Sequence, residues 1–259
     1  MGELARQRLG EAIEVWTIEG EARRNTLTLA LVAELIRAVE AVEIDCGVRA
    51  VVLTGQGDKA FCAGADLKER GGMSVAQVHV WLDDLRKLMT SIERSRVPFI
   101  AALNGSAFGG GTELALACDL RVAVGTAELA LTEVTLAIIP GAGGTQRLPR
   151  LVGLGVASEL ILTGRRVPAT EALAIGLVNR VAPVGQALAE ALKLAEVIAA
   201  NGPVAISAAK AALQLGSSLP IDAGLDLERR QYERTLSTTD RLEGIAAFRE
   251  KRKPVYRGE

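Results

Sequence analysis

The rhythm of apolar positions changes along the chain, and the changes mark its elements. Residues 11–18 (EAIEVWTI) alternate loosely, as a half-buried strand does. Residues 27–42 place apolar side chains at helical spacing and predict an amphipathic helix. RAVVLT at 49–54 is a short β-branched run closed by Gly55 and Gly57, the pattern of a buried strand. The same reading predicts a helix over 75–94, a strand over 98–103, a helix around 112–118 and a strand over 120–124. Strands alternating with helices predict an α/β class with crossover connections.

From about Thr170 the pattern turns helical. TEALAIGLVNRV predicts a short helix, a glycine stop and a short strand. Beyond Gln186 four helical stretches are separated by Asn201-Gly202-Pro203 and by residues 217–220. The chain is thus expected to divide into a core, residues 1–190, and a helical region, residues 191–259. That region is too small to hold a core alone. It is expected to pack on the main body and on neighbouring subunits.

Composition narrows the function classes. Hydrophobic residues make up 49% and charged residues 24% of the 259, an ordinary globular mixture. Thirty basic residues against 31 acidic ones give no electrostatic case for nucleic acid or anionic lipid. Aromatics at 3% leave little material for stacking bases. The start, MGELARQRLGEAIEV, has no signal-peptide core, and Arg6 stands where myristoylation needs Ser or Thr. The most apolar span, 97–118, is broken by glycines, Pro98, Asn104 and Glu113, and makes a poor membrane helix. Cys46, Cys62 and Cys118 are odd in number and irregular in spacing, which suits a reducing compartment. A soluble cytoplasmic protein without a membrane partner is expected, with Cys62 and Cys118 as small packing residues.

The inventory also limits the chemistry. The single histidine, His79, falls on a predicted helix, partly exposed. Poly-histidine metal sites and Ser-His-Asp engines are thereby disfavoured, and no metal is expected. No phosphate-binding G-x-x-x-x-G-K-[ST] string is present, and Gly153 to Ser158 lacks the third glycine of a dinucleotide motif. Acid–base work then falls to carboxylates. GSAFGGGTELALACD at 105–119 sets Glu113 in an apolar helix just behind three glycines. LTEVTLAIIPGAGGTQRL at 131–148 sets Glu133 in apolar company ahead of a glycine-rich turn at 141–144. Glutamates ordinarily lie on the surface. A buried one is costly unless it is paired or used.

A third segment, KAFCAGADLKE at 59–69, completes a pattern. FCAGADLKE, NGSAFGGGTELALACDLRVA and TEVTLAIIPGAGGTQRLPR together resemble the enoyl-CoA hydratase/isomerase (crotonase) superfamily over nearly the whole chain. The resemblance implies a crotonase-type spiral of β-β-α units with a helical C-terminal region, assembled as a trimer or a dimer of trimers. It implies an acyl-CoA substrate whose enolate oxygen meets the backbone N–H groups of Ala65 and Gly110. Glu113 and Glu133 would share a water, with the N–H of Gly141 also on it, to hydrate a 2,3-double bond. Which glutamate is base and which acid stays open. CoA would run along Ala63, Ala65 and Leu67 with Lys68 facing phosphates, and no other cofactor is implied. The Lys251-Arg252-Lys253 cluster would reach the ADP phosphates across a subunit boundary. Thr112 and Thr132 depart from the residues common at those positions, which bears on pocket shape only.

Within the superfamily, ADLKER and DRLEGIAAFREKR most resemble the 3-methylglutaconyl-CoA hydratases of leucine breakdown. That implied substrate carries a free carboxylate and needs a donor, for which Lys68, Arg70 and Tyr232 are candidates. The alternative is a general short-chain enoyl-CoA hydratase. Proteins resembling this subgroup are also linked to RNA through a lysine-rich first helix. Here residues 27–47 hold Arg37 and no lysine, against Glu34, Glu40, Glu43 and Asp45, so that face repels phosphates.

Overall fold

A spiral feeds two sheets at once. In the computed structural model, which describes residues 3–259, β1 (Glu3–Leu9) and β2 (Ile13–Glu19) form an antiparallel hairpin, followed by α1 (Leu29–Ile44). One turn of the spiral is β3 (Ala50–Gly55), β4 (Ala60–Cys62), α2 (Leu67–Gly71) and α3 (Val75–Arg94). The next is β5 (Phe99–Leu103), β6 (Ser106–Phe108) and α4 (Gly110–Ala117). A third is β7 (Leu120–Val124), β8 (Glu128–Ala130), a 3-10 turn at Glu133–Leu136, α5 (Gly144–Val152) and α6 (Leu154–Thr163). Then come β9 (Val167–Pro168), α7 (Ala169–Ala174) and β10 (Arg180–Ala182). Four helices close the chain: α8 (Ala187–Ala199), α9 (Pro203–Gly216), α10 (Ile221–Leu236) and α11 (Thr239–Glu250).

The larger sheet has the order β1-β2-β3-β5-β7-β10 and the smaller β4-β6-β8-β9. All pairings are parallel except β1 with β2 and β8 with β9. Each turn therefore gives one strand to each sheet, the β-β-α spiral expected from the sequence.

Burial explains which strands the pattern revealed. Every residue of β3 and β5 is buried, because parallel strands are covered on both faces. α8 covers β3, β5 and β7 with Ala187, Ala191, Ala195 and Ala199, whose four-residue spacing lines one helix face. Within this sheet Trp16 and Phe99 meet edge to face, 5.3 Å between centroids. β1 was not anticipated, since all but one of its residues lie outside the core. Three-residue β4, β6 and β8 were missed as well. Among the described residues no single helix is long and apolar enough to cross a membrane. His79 is exposed on α3; Cys62 and Cys118 are buried, and burial pushes both thiols up to about 12.

Candidate active site

The site lies where three strands of the smaller sheet end. After β4 the chain turns at Gly64, φ +89°, where an added Cβ would come within 2.7 Å of the Phe108 carbonyl. Glycine is therefore required for the ends of β4 and β6 to approach. Ala65 forms an isolated parallel bridge with Leu27. Leu27 N–H donates to Gly64 O at 2.8 Å, and Asp66 N–H donates to Leu27 O at 3.0 Å. Strand alternation then turns the N–H of Ala65 itself away from Leu27. Gly110 is the first residue of α4, where N–H groups have no intrahelical acceptor. A Cβ on Gly110 would lie 3.7 Å from Ala65 N. Two adjacent amides thus face outward, one at the positive end of a helix.

Glu113 stands one turn into α4, only 2% exposed. Its Oε1 accepts from Ala142 N–H and Gly144 N–H, each at 2.8 Å. These amides open α5, whose first residue is Gly144. Burial pushes the Glu113 carboxyl above its ordinary value, while the two amides and the nearby Arg147 cation pull the other way. Sequence reading singled out Gly141 but not Ala142 or Gly144. The only available signal was a glycine-rich turn running into a helix start, which places several N–H groups together. Gly141 itself is exposed and packs against Leu82 of α3.

Glu133 begins the 3-10 turn after β8 and lies against Gly109, where a Cβ would be 3.2 Å from its Oε1. Its Oε2 is buried without a hydrogen-bond partner among the described residues. Burial raises its pKa to about 7; its own backbone amide opposes the shift, and the Glu113 charge adds to it. The structure thus brings Glu113, Glu133, Ala65 and Gly110 together around the Gly109–Gly110 turn. Thr112 is accommodated as a stitch between strands, its Oγ1 2.7 Å from Ala107 O and 2.9 Å from Ala130 O.

The other candidates sit further out. Ala63 and Ala65 are half-buried, whereas Leu67 and Lys68 are exposed at the start of α2, capped by Asp66. Neither the Lys68 nor the Arg70 side chain forms an ion pair among the described residues. Tyr232 is exposed on α10, which packs chiefly on α9, and its hydroxyl bonds to no residue of the site. Arg252 is committed within its own chain, bidentate to Glu243 at 2.6 and 2.8 Å and bonded to Glu250 at 2.6 Å.

Comparison with known proteins places the chain in a family. The family model for enoyl-CoA hydratase/isomerase matches residues 8–259. A crystal structure of an enoyl-CoA hydratase from Bacillus anthracis superposes with a TM-score of 0.97 at 49% identity, covering 99% of each chain. YngF of Bacillus subtilis, provisionally named an enoyl-CoA hydratase/isomerase, is 47% identical over 96% of this chain and 95% of its own. Human mitochondrial methylglutaconyl-CoA hydratase is 45% identical over 91% of this chain and 71% of its own. With a crotonase-type spiral and two glutamates set beside paired free amides, the chain belongs to the enoyl-CoA hydratase/isomerase family.

Proposed function

We propose that the chain adds water across the 2,3-double bond of an enoyl-CoA, with Glu113 as base and Glu133 as acid. The contrast between the two carboxyls supports this division. Glu113 is held by two amides that favour its anion, whereas Glu133 is half-buried, with its Oε2 enclosed and unpartnered among the described residues and its pKa shifted to about 7. An anion with donors suits taking a proton, and a near-neutral carboxyl suits giving one. Water held between them attacks C3 as Glu113 removes its proton. The π electrons move onto the thioester oxygen, which Ala65 N–H and Gly110 N–H receive. They return as C2 takes the proton from Glu133. The Gly141 N–H helps to hold the water. The only cofactor is the CoA of the substrate, laid along Ala63, Ala65 and Leu67 with its phosphates toward Lys68.

The substrate we favour is 3-methylglutaconyl-CoA, giving 3-hydroxy-3-methylglutaryl-CoA in leucine breakdown. The likeness to the human hydratase of that name supports it, as do Lys68 and Arg70 on α2, which form no ion pair among the described residues. Tyr232 would join them from a neighbouring subunit of a trimer or dimer of trimers. Exposed Leu242, Ile245 and Phe248 on α11 supply an apolar face for that assembly. Cytoplasmic residence completes the reading. A general short-chain enoyl-CoA hydratase is the second reading, supported by the similarity to YngF.

Competing the two substrates decides between them. The acidic substrate is expected to exceed crotonyl-CoA in kcat/KM by about tenfold, the worth of one charge-assisted hydrogen bond. Lys68→Met and Tyr232→Phe should each lower turnover of the acidic substrate more than of crotonyl-CoA. A preference for crotonyl-CoA would leave the second reading.

A further inference from the structure

The turn that grips Glu113 is itself held by a side chain outside the two-glutamate scheme. Arg147, in the first turns of α5, is 13% exposed. Its Nε and Nη2 donate to Glu93 Oε1 at 3.2 Å and Oε2 at 2.8 Å, a bidentate pair with α3. Its Nη1 donates to Ala142 O at 2.9 Å. Ala142 is the residue whose N–H holds Glu113.

The backbone is shaped to admit this guanidinium. Gly143 lies at φ +106°, and a Cβ built there would collide with Arg147 Nη1. Glycine is thus needed twice, for the left-handed turn and for the space that the guanidinium fills. On either side of Gly143 the amides of Ala142 and Gly144 point to the same carboxylate oxygen. A Cβ on Gly144 would stand 3.1 Å from that oxygen, so the turn tolerates little displacement.

We infer that Arg147, braced by Glu93, is a positioning residue for the hydration reaction: it fixes the Ala142–Gly144 turn so that both amides bear on Glu113, and its cation favours the ionised base. The inference rests on the reading of Glu113 as the base. A fork locked at both ends holds the carbonyl of Ala142 more rigidly than a single ammonium can. The charged groups facing this carboxyl are Arg147 from α5 and Glu133 from the turn after β8; Glu93 of α3 reaches it through Arg147. β4 contributes only the neutral thiol of Cys62, and β6 has no titratable residue. The cation is close enough to Glu113 to lower its pKa against burial.

The test uses the full chain with Arg147→Met, Arg147→Lys and Glu93→Gln, assayed with crotonyl-CoA across pH. The Glu113 carboxyl is followed in parallel by 13C NMR and assigned with Glu113→Gln. Arg147→Met should lower kcat about tenfold to a hundredfold with little change in KM, the cost of misplacing a reacting group. Glu113 should then titrate at higher pH. Arg147→Lys keeps the charge and loses the fork, so the titration should stay near the native one while kcat recovers only in part. Glu93→Gln unmasks the cation and should move the titration to lower pH, the opposite direction. It also serves as the deciding variant if Arg147→Met does not fold. If the Glu113 titration is unmoved in these variants, Arg147 is only a strut between helices and the inference is overturned. Native turnover in Glu113→Gln would sink the reading of Glu113 as base instead, and the NMR arm would still report on Arg147.

Discussion

Lys210 Nζ lies 2.7 Å from Asp119 Oδ2, across 91 residues of sequence. The ammonium also donates to Ile92 O at 3.1 Å and Val97 O at 3.0 Å, so its three donors are satisfied. Asp119 Oδ2 in turn accepts from Phe99 N–H at 2.8 Å. This largely buried pair ties α9 to the start of β5 and to the exit of α4, the helix that carries Glu113. Net stabilisation by a buried pair is small, but removing one partner strands a charge. Lys210→Met should cost about 3–5 kcal/mol in a denaturant titration. A double variant with Asp119→Leu should recover only part of it, because Phe99 N–H then loses its carboxylate acceptor.

Glu113→Gln and Glu133→Gln should each lower hydration kcat by about 10³-fold or more in steady-state assays. Binding of an acyl-CoA ester, read by calorimetry, should change little. The double variant should lose much less than the sum of the two free energies, as the proposed sharing of one water requires. Near-native turnover in either single variant would contradict the shared-water mechanism.

Glu133 gives stability a pH dependence of definite sign. Its pKa is about 7 in the folded chain against an ordinary 4.5. Between those values the folded state holds a proton that the unfolded state has lost. Stability contributed by this group therefore falls as pH rises through that window. Glu133→Gln, which cannot ionise, should be more stable than the parent at pH 8, with the advantage vanishing as pH falls toward the lower value. In activity, loss of the same proton should produce an alkaline limb in kcat/KM near its folded value, as a property of the carboxyl pair.

Gly64→Ala tests the paired amides without touching a carboxyl. The new Cβ would press on Phe108 O, and the φ of +89° is strained for alanine. Displacing the Ala65 amide should cost about 10²–10³ in kcat, the effect of losing one oxyanion donor. Circular dichroism should show an otherwise native fold, and a variant with unchanged kcat would count against the role given to Ala65.

Elements whose chemistry is carried by side chains over many residues were legible in the sequence. The predicted helix at 75–94 coincides with α3, and the stretch 203–216 coincides with α9. The smaller sheet was not legible, because three residues such as Ala60–Cys62 or Glu128–Ala130 are too few to display a period. β1 was hidden for another reason: an edge strand such as ELARQRL shows its polar side chains to solvent. In the site, Glu113 and Glu133 betrayed themselves as carboxyls in apolar surroundings. The amides of Ala142 and Gly144 have no side-chain signature. Arg147 meets Glu93 across 54 residues, a proximity that only folding creates.

The neighbouring order β4, β6, β8 has a metric consequence. Ala65, Gly110 and Glu133 follow the ends of these three strands within a few residues, one to each rung. Neighbouring strands stand about 4.8 Å apart, a spacing dictated by peptide hydrogen bonds and indifferent to side chains. The sheet therefore works as a ruler, graduating the approach to the site in steps comparable to a few carbon–carbon bonds. Loops at its rim can be rewritten to fit other acyl tails while the graduations, and with them the spacing between rungs, stay where the backbone set them.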